Sequence, residues 1–175
     1  MRSRPFRSPR ARARGDEDGA TAAKPDAYVA ALTMLARREL SEAQIRQRLV
    51  RREYDETAID QAIARLRVER AVDDERVAGA IARTSVSVKR RGRVRVRREI
   101  EHAGISPSVA RAAVDATFED VDEDALLEAA LARRLRGRDQ MTEPSDIARL
   151  YRYLVGQGFE HDRIMKRLDR LKRRR

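Results

Sequence analysis

From residue 26 onward the apolar residues recur every three or four positions, which is the spacing of one face of an α-helix. Short polar residues that favour helix N-termini precede these runs: Asp26, Ser41, Asp55, and either Asp73 or Asp74. The apolar stripes after these caps are Tyr28, Ala31, Leu32 and Leu35; Ile45 and Leu49; Ile59, Ile63 and Leu66; Val77, Ala80 and Ile81. The pattern predicts consecutive helices with one buried face each.

An internal repeat underlies this pattern. Residues 45–63, 94–114 and 150–168 align at five apolar positions, with steps of 51 and 54 residues between copies. The aligned positions are Ile45, Leu49, Tyr54, Ile59 and Ile63; Val96, Ile100, Ile105, Ala110 and Val114; Leu150, Leu154, Phe159, Ile164 and Leu168. Further helical segments supply the first helix of each unit, at about 26–39, 73–88 and 122–136. Each unit is therefore predicted to contain three helices.

The stretch KRRGRVRVRREI, residues 89–100, admits two readings, because it alternates like an edge strand yet also places Val96 and Ile100 on one helical stripe. The repeat favours the helix, and no second alternating run offers a strand partner. Gly104 is placed to end that helix, and Gly158 stands at the same point of the third copy. Ser106 and the proline after it begin the next helix.

The predicted fold is all-α, with three tandem three-helix repeats in an elongated or curved array whose units contact only their neighbours. A disordered basic arm precedes them, because that stretch combines prolines and glycines with arginines. The predicted divisions are 1–25 for the arm, 26–71, 72–119, and 120–175 including a basic tail.

Composition narrows the function. The net charge is +11, and only four of the 40 basic residues are lysines. Arginine pairs well with phosphate and carboxylate, although a GC-rich genome would also favour it. There is no cysteine, which excludes disulfides, thiolate zinc sites and a cysteine nucleophile. No apolar run approaches the ~20 residues of a membrane span, and no secretory signal is evident, so we expect a cytoplasmic protein that does not bind membranes.

Three segments in this order resemble the RecX family of RecA regulators. A basic pair, Arg37 and Arg38, precedes a helix start at Ser41 and Glu42. The others are a Leu-x-x-x-x-hydrophobic-hydrophobic-Asp-Asp run over 66–74, and a basic-flanked glycine with a helix ending Gly-Ile over 92–105. The resemblance covers residues 26 to about 173. This chain departs from the family where Val77 replaces a common aromatic residue, and where a glycine pair is reduced to Gly92.

The resemblance implies a non-enzymatic protein that binds RecA and lodges along the groove of the RecA–single-stranded DNA filament. It also implies modulation, mostly inhibition, of ATP hydrolysis and strand exchange. The expected partners are RecA and its filament, with weak nonspecific DNA binding, and the protein is expected to be a monomer. Two alternatives stay open: a general basic DNA-binding protein that acts without RecA, and an adaptor for another acidic assembly.

The candidate contact surface lies in the middle of the chain, where eight basic residues and no acid occur between Arg83 and Arg98. Segments 38–47 and 143–152, at corresponding repeat positions, contain far fewer uncompensated positive charges. A solvated helix face would also fit, but we favour a surface for an anion, either acidic RecA loops or DNA phosphate. The candidate residues, termed the central basic segment, are Lys89, Arg90, Arg91, Arg93, Arg95, Arg97 and Arg98.

Enzymatic and metal chemistry find little support in the sequence. The two histidines, His102 and His161, lie near predicted helix ends and suit capping or solvent. The acidic run over 120–124 begins like a calcium loop but lacks its glycine and its final glutamate. The pair at 73–74 suits a helix cap better than a metal site. There is no phosphate-binding glycine-rich loop, so we expect no catalytic residue, no metal and no cofactor.

Overall fold

The computed structural model describes residues 25–135 and 144–173, and within these ranges it contains nine helices and no strand. The helices are α1 (Ala27–Leu35), α2 (Glu42–Val50), α3 (Glu56–Val68), α4 (Asp74–Ser87), α5 (Arg93–His102), α6 (Pro107–Phe118), α7 (Glu123–Leu135), α8 (Pro144–Gln157) and α9 (His161–Arg173). They form three consecutive triplets, here called the first, second and third modules. The all-α, tandem three-helix prediction is confirmed. The predicted basic arm, except for its last residue, and the end of the predicted basic tail lie outside the described residues.

Capping residues begin the helices where the sequence predicts. The side chains of Asp26, Ser41, Asp55, Asp73 and Ser106 each accept a hydrogen bond from a backbone N–H in the first turn. The stretch 89–100 contributes a helix, α5, and not a strand. Two of the helix ends need a left-handed backbone, which glycine adopts without steric cost: φ is +80° at Gly104 and +87° at Gly158.

The aligned positions of the repeat lie in the core. All fifteen aligned apolar positions are buried except Tyr54, which is half-buried and donates its hydroxyl to the Pro25 carbonyl over 2.6 Å. The first module encloses a cluster of its own, whereas the second and third modules share one continuous cluster. The second and third modules therefore share one hydrophobic core.

Helix α1 differs from the prediction in the face it buries. Its buried side chains are Ala27, Ala30, Ala31 and Met34, whereas Leu32 is 37% exposed. Because α1 is apolar nearly all round, its periodicity does not identify a single inner face. The small alanines allow α1 to approach α3 closely, and the helix ends before the basic pair instead of extending to residue 39.

The first and second modules meet where the start of α2 contacts the turn between α5 and α6. Ser41 is fully buried there, and its hydroxyl donates to the Ala103 carbonyl. The Glu42 N–H donates to Asp74 Oδ1 over 3.0 Å. A Cβ atom on Gly104 would lie 2.3 Å from the Cβ of Ala43. The contact therefore requires both a capping serine and a glycine.

The second and third modules meet at the equivalent positions one repeat later, with backbone N–H donors in place of the serine hydroxyl. The start of α5 contacts the turn after α8: the Gly92 N–H donates to the Gln157 carbonyl over 2.9 Å, and the Val94 N–H to the Gly158 carbonyl over 3.2 Å. Carbonyls at the end of α8 thus satisfy N–H groups at the start of α5, an arrangement that also aligns the two helix dipoles favourably. Equivalent positions of the repeat therefore form both junctions.

The carboxyl of Asp74 gives the first junction a pH dependence. Burial raises its pKa, while the hydrogen bond from the Glu42 N–H opposes the rise. Because the folded pKa exceeds the unfolded one, the cost of the buried charge is fully present above the folded pKa and fades as pH falls through it. Asp74→Asn keeps an oxygen acceptor without the charge, so we expect equal or higher stability at neutral pH, by up to about 1 kcal/mol, with no advantage below about pH 4. Urea unfolding at pH values from below 4 to neutral measures the stability difference between the variant and the unaltered protein. A loss of stability in Asp74→Asn that does not change with pH would contradict a costly buried charge at Asp74.

Candidate interaction surface

Part of the central basic segment gathers around one carboxylate. Lys89 Nζ lies 3.3 Å from Glu99 Oε2, Arg95 Nε lies 3.3 Å from Glu99 Oε1, and Arg91 pairs with the same carboxylate. The buried hydroxyl of Ser85 donates to Glu99 Oε2 over 2.7 Å. The Glu99 side chain is only 17% exposed. These contacts hold the end of α4, the following turn and α5 together.

Two further arginines of the segment also face internal acids. Arg93 contacts α6 and α7: its guanidinium nitrogens lie 3.0 Å from Asp115 Oδ1 and 3.0 Å from Glu123 Oε1. Its guanidinium lies 4.8 Å from the centre of the Phe118 ring. Arg97 lies 3.6 Å from Glu101, one turn along the same helix. Arg93 therefore links the second module to α7, and Arg97 makes an ordinary surface pair.

The remaining two members, Arg90 and Arg98, are exposed and make no ion pair with any described residue. Four carboxylates thus face five of the seven cations, and one of the four is shared with Arg163. The structure brings Lys89, Arg91 and Arg95 together and directs Arg93 to a different contact. The segment keeps an excess of positive charge, and Arg90 and Arg98 are its two members without an ion pair to a described residue.

Electrostatics within this group follow from its crowding. Burial, and then the positive charges of Arg91 and Arg95, lower the pKa of Lys89. Burial and the charge of Arg95 likewise lower the pKa of Arg91. Both directions indicate that the cations are partly desolvated and repel one another. Glu99 is the group that offsets this repulsion.

The first module contains a second basic surface that the sequence analysis missed. A cavity of about 430 Å³, here called the arginine cavity, lies where α1 and α2 end. It is lined by Thr33, Met34, Arg37, Arg38, Arg48, Arg51 and Arg52. Within the described ranges no carboxylate pairs with any of its five arginines. Burial, and then the charges of Arg38, Arg51 and Arg52, lower the pKa of Arg48.

A difference between two copies of the repeat points to this cavity in the sequence. The 51-residue step between the first two copies places Arg48 at the position of Glu99, and Arg38 at that of Lys89. The first module therefore has an arginine where the second has its neutralising acid. The exchange lies inside the aligned segments 45–63 and 94–114, but at a polar position, whereas the alignment rests on the apolar ones.

The other candidates have structural roles. His161 Nδ1 lies 2.9 Å from the Tyr151 hydroxyl at the start of α9, and His102 ends α5. The Asp122 carboxylate accepts N–H groups in the first turn of α7, as a cap does. In the part of the chain that the structure describes, no cluster of three or more potential ligands could hold a metal. None of the helices in 25–135 and 144–173 has the length and apolar character of a membrane span.

Comparisons with known proteins match this fold and sequence. The family models for the first and the second three-helix domain of RecX match residues 27–66 and 73–114. The Regulatory protein RecX of Syntrophotalea carbinolica is 33% identical over 139 residues, which span 79% of this chain and 91% of that protein. The crystal structure of RecX from Lactobacillus salivarius has a TM-score of 0.70 at 20% identity, covering 83% of this chain and 94% of that one. Another RecX crystal structure has a TM-score of 0.67 at 24% identity, covering 78% and 67%. The fold is shared with both structures, and the chain belongs to the RecX family of regulatory proteins.

Proposed function

We propose that this protein binds RecA and the RecA–single-stranded DNA filament, and that it modulates, mostly by inhibition, ATP hydrolysis and strand exchange. It acts without catalysis, by docking along the filament groove. The observation that carries the proposal is the relationship to a regulatory RecX protein over nearly its whole length. The tandem modules and their repeated junction supply a physical means.

The mechanism rests on several contacts at a fixed spacing. The two junctions lie at equivalent positions of the repeat, so successive modules are joined through equivalent helix ends. A filament offers equivalent sites at regular intervals, so modest contacts from each module add to tight attachment. Bound protomers held in one relative arrangement cannot pass freely through the states that couple ATP turnover to filament growth. Inhibition then follows from geometry and needs no chemistry in this chain.

The central basic segment is the surface that we assign to the filament. Arg90 and Arg98 are its most informative members, because neither is engaged by a described carboxylate. Arg93 is a poor choice for a charge reversal, since an acid there would face Asp115 and Glu123 and would disturb the fold. The structure thus separates residues that can test binding from residues that hold the modules together.

The function is tested by ATP hydrolysis of RecA on single-stranded DNA at low salt, with this protein added well below one copy per RecA protomer. We expect inhibition under these conditions, because each copy spans several protomers. Unchanged hydrolysis would reject the proposed function.

The surface is tested by the double variant Arg90→Glu, Arg98→Glu. Because exposed charges chiefly affect encounter and salt dependence, we expect half-inhibition to need roughly three to ten times more protein at low salt, with a smaller difference at high salt. The matched control is Arg111→Glu, Arg152→Glu, which changes net charge equally at exposed positions of α6 and α8. If both variants weaken inhibition equally, net charge alone is responsible and the segment is not the contact surface.

A further inference from the structure

We propose that the arginine cavity of the first module is a binding site for the phosphodiester backbone of single-stranded DNA. The site is separate from the central basic segment and requires no RecA. Its elements are the ends of α1 and α2, which bring Arg37, Arg38, Arg48, Arg51 and Arg52 to one concavity of about 430 Å³. The argument rests on charge balance, on the repeat and on shape.

No described carboxylate balances the charges in the cavity, which favours an external anion as its ligand. In the second module the cations beside α5 surround Glu99, which is mostly buried. In the first module the equivalent position is Arg48, and the cations around it have no described carboxylate. Guanidinium groups do not lose their charge in proteins, so the repulsion cannot be relieved by deprotonation. An external anion in the cavity would take the place that the internal glutamate has one repeat later.

The two helix ends account for part of this cluster only. Basic side chains at a helix C-terminus interact favourably with its carbonyls, and Arg51 is the C-terminal cap of α2. That effect favours one or two cations at each helix C-terminus, and each exposed cation contributes about 0.3–1 kcal/mol of stabilisation. It does not explain why Arg48, which is partly buried, faces three other arginines. The excess is better explained by binding.

The turn beside the cavity lacks the glycine at which the two junctions between modules form. In the second and third modules the turn after the middle helix carries Gly104 or Gly158, against which the preceding module packs. The corresponding turn of the first module, Arg52–Glu53, carries side chains, and Glu53 holds a positive φ of 60° without being glycine. A close backbone approach of the kind seen at the two junctions is therefore not built into this turn. Its arginine instead lines the cavity.

The kind of ligand follows from the lining. Guanidinium groups bind phosphate oxygens in pairs, and a chain of phosphates supplies several charges in succession, which one side-chain carboxylate of a protein partner does not. The lining has no aromatic ring on which a base could stack, so the contact would be to the backbone and independent of sequence. A flexible single strand can bend successive phosphates into a small concavity, whereas a duplex is too stiff to do so without a deformation cost.

The test measures fluorescence anisotropy of a labelled oligothymidylate with the full chain, without RecA, between about 50 and 200 mM salt. The variant is Arg48→Gln, Arg51→Gln, Arg52→Gln, and the matched control is Arg111→Gln, Arg152→Gln, Arg170→Gln, which removes the same charge elsewhere. Loss of three phosphate contacts should reduce the slope of log affinity against log salt by about two and weaken binding by at least tenfold at low salt. The slope of the control should differ from that of the unaltered protein by less than about 0.5.

Three results would overturn the proposal. Equal losses in the variant and the control would mean that only net charge matters. No loss in the variant would place DNA elsewhere on the chain. A poly-glutamate peptide that competes with the oligonucleotide at equal charge concentration would identify the cavity as a site for an acidic protein. Circular dichroism of each variant verifies that it is folded. The inhibition assay with RecA is independent, so failure here leaves the proposed function standing.

Discussion

Replacing Gly158 with alanine is expected to destabilise the protein by about 3 kcal/mol or more and to loosen the third module from the second. The backbone at Gly158 has φ +87°, which costs an L-residue about 1–2 kcal/mol. The added Cβ would also lie 2.2 Å from the Arg95 backbone nitrogen, so the start of α5 would have to move. Since the start of α5 donates hydrogen bonds to the carbonyls at the end of α8 there, both modules are affected.

The matched control is two residues away. Gly156 lies inside α8, and a Cβ there would meet nothing within 4 Å. Alanine is a better helix former than glycine by roughly 1 kcal/mol, so Gly156→Ala is expected to be neutral or stabilising. The pair of variants separates loss of the junction from any general effect of removing a glycine from this region.

Urea unfolding followed by circular dichroism gives the stability difference, and hydrogen exchange gives its location. In Gly158→Ala the Val94 amide should exchange faster than in the unaltered protein, because its acceptor is the Gly158 carbonyl. Amides of α2 in the first module, which has a core cluster of its own, should change little. If Gly158→Ala and Gly156→Ala unfold at the same urea concentration, the proposed junction does not contribute to stability.

The sequence predicts the helices well because two independent patterns agree. Capping residues such as Ser41 and Asp55 mark helix starts, and the repeat supplies the inner face of each middle and last helix. Helix α1 shows where this reasoning fails. Its residues are apolar on several faces, so the choice between Leu32 and Met34 depends on how α1 packs against α3, which periodicity does not encode.

The charged surfaces were harder to predict, because sequence proximity does not determine pairing. The run between Arg83 and Arg98 contains no acid, yet the structure brings Glu99, Asp115 and Glu123 to its cations from one turn away and from two other helices. The arginine cavity shows the converse, since its arginines are dispersed between the ends of two helices and do not form one continuous basic run. Such sites depend on tertiary contacts, and only the exchange of Glu99 for Arg48 between repeats gives them a signature in the sequence.

Replacing Glu99 with glutamine is expected to cost about 2–3 kcal/mol of stability. Glutamine can still accept the Ser85 hydrogen bond, but it leaves Lys89, Arg91 and Arg95 without the negative charge that offsets their repulsion. Removing one partner of a buried pair costs about 3–5 kcal/mol, and the partial exposure of the cations reduces that figure here. Raising the salt concentration should shrink the loss, because screening weakens repulsion between partly exposed cations.

Glu101→Gln is the control for Glu99→Gln, since Glu101 lies on the same helix and pairs with Arg97 at a site where both side chains are more than a third exposed. That pair should contribute a few tenths of a kcal/mol. Urea unfolding at low and high salt compares the two variants, and equal losses would reject a special role for Glu99.

The converse change is Arg48→Glu. It places an acid among Arg38, Arg51 and Arg52, as Glu99 lies among cations one repeat later, so it is expected to stabilise the first module. If that substitution destabilises the module instead, the two positions are equivalent in sequence but not in environment, and charge balance does not explain the cavity.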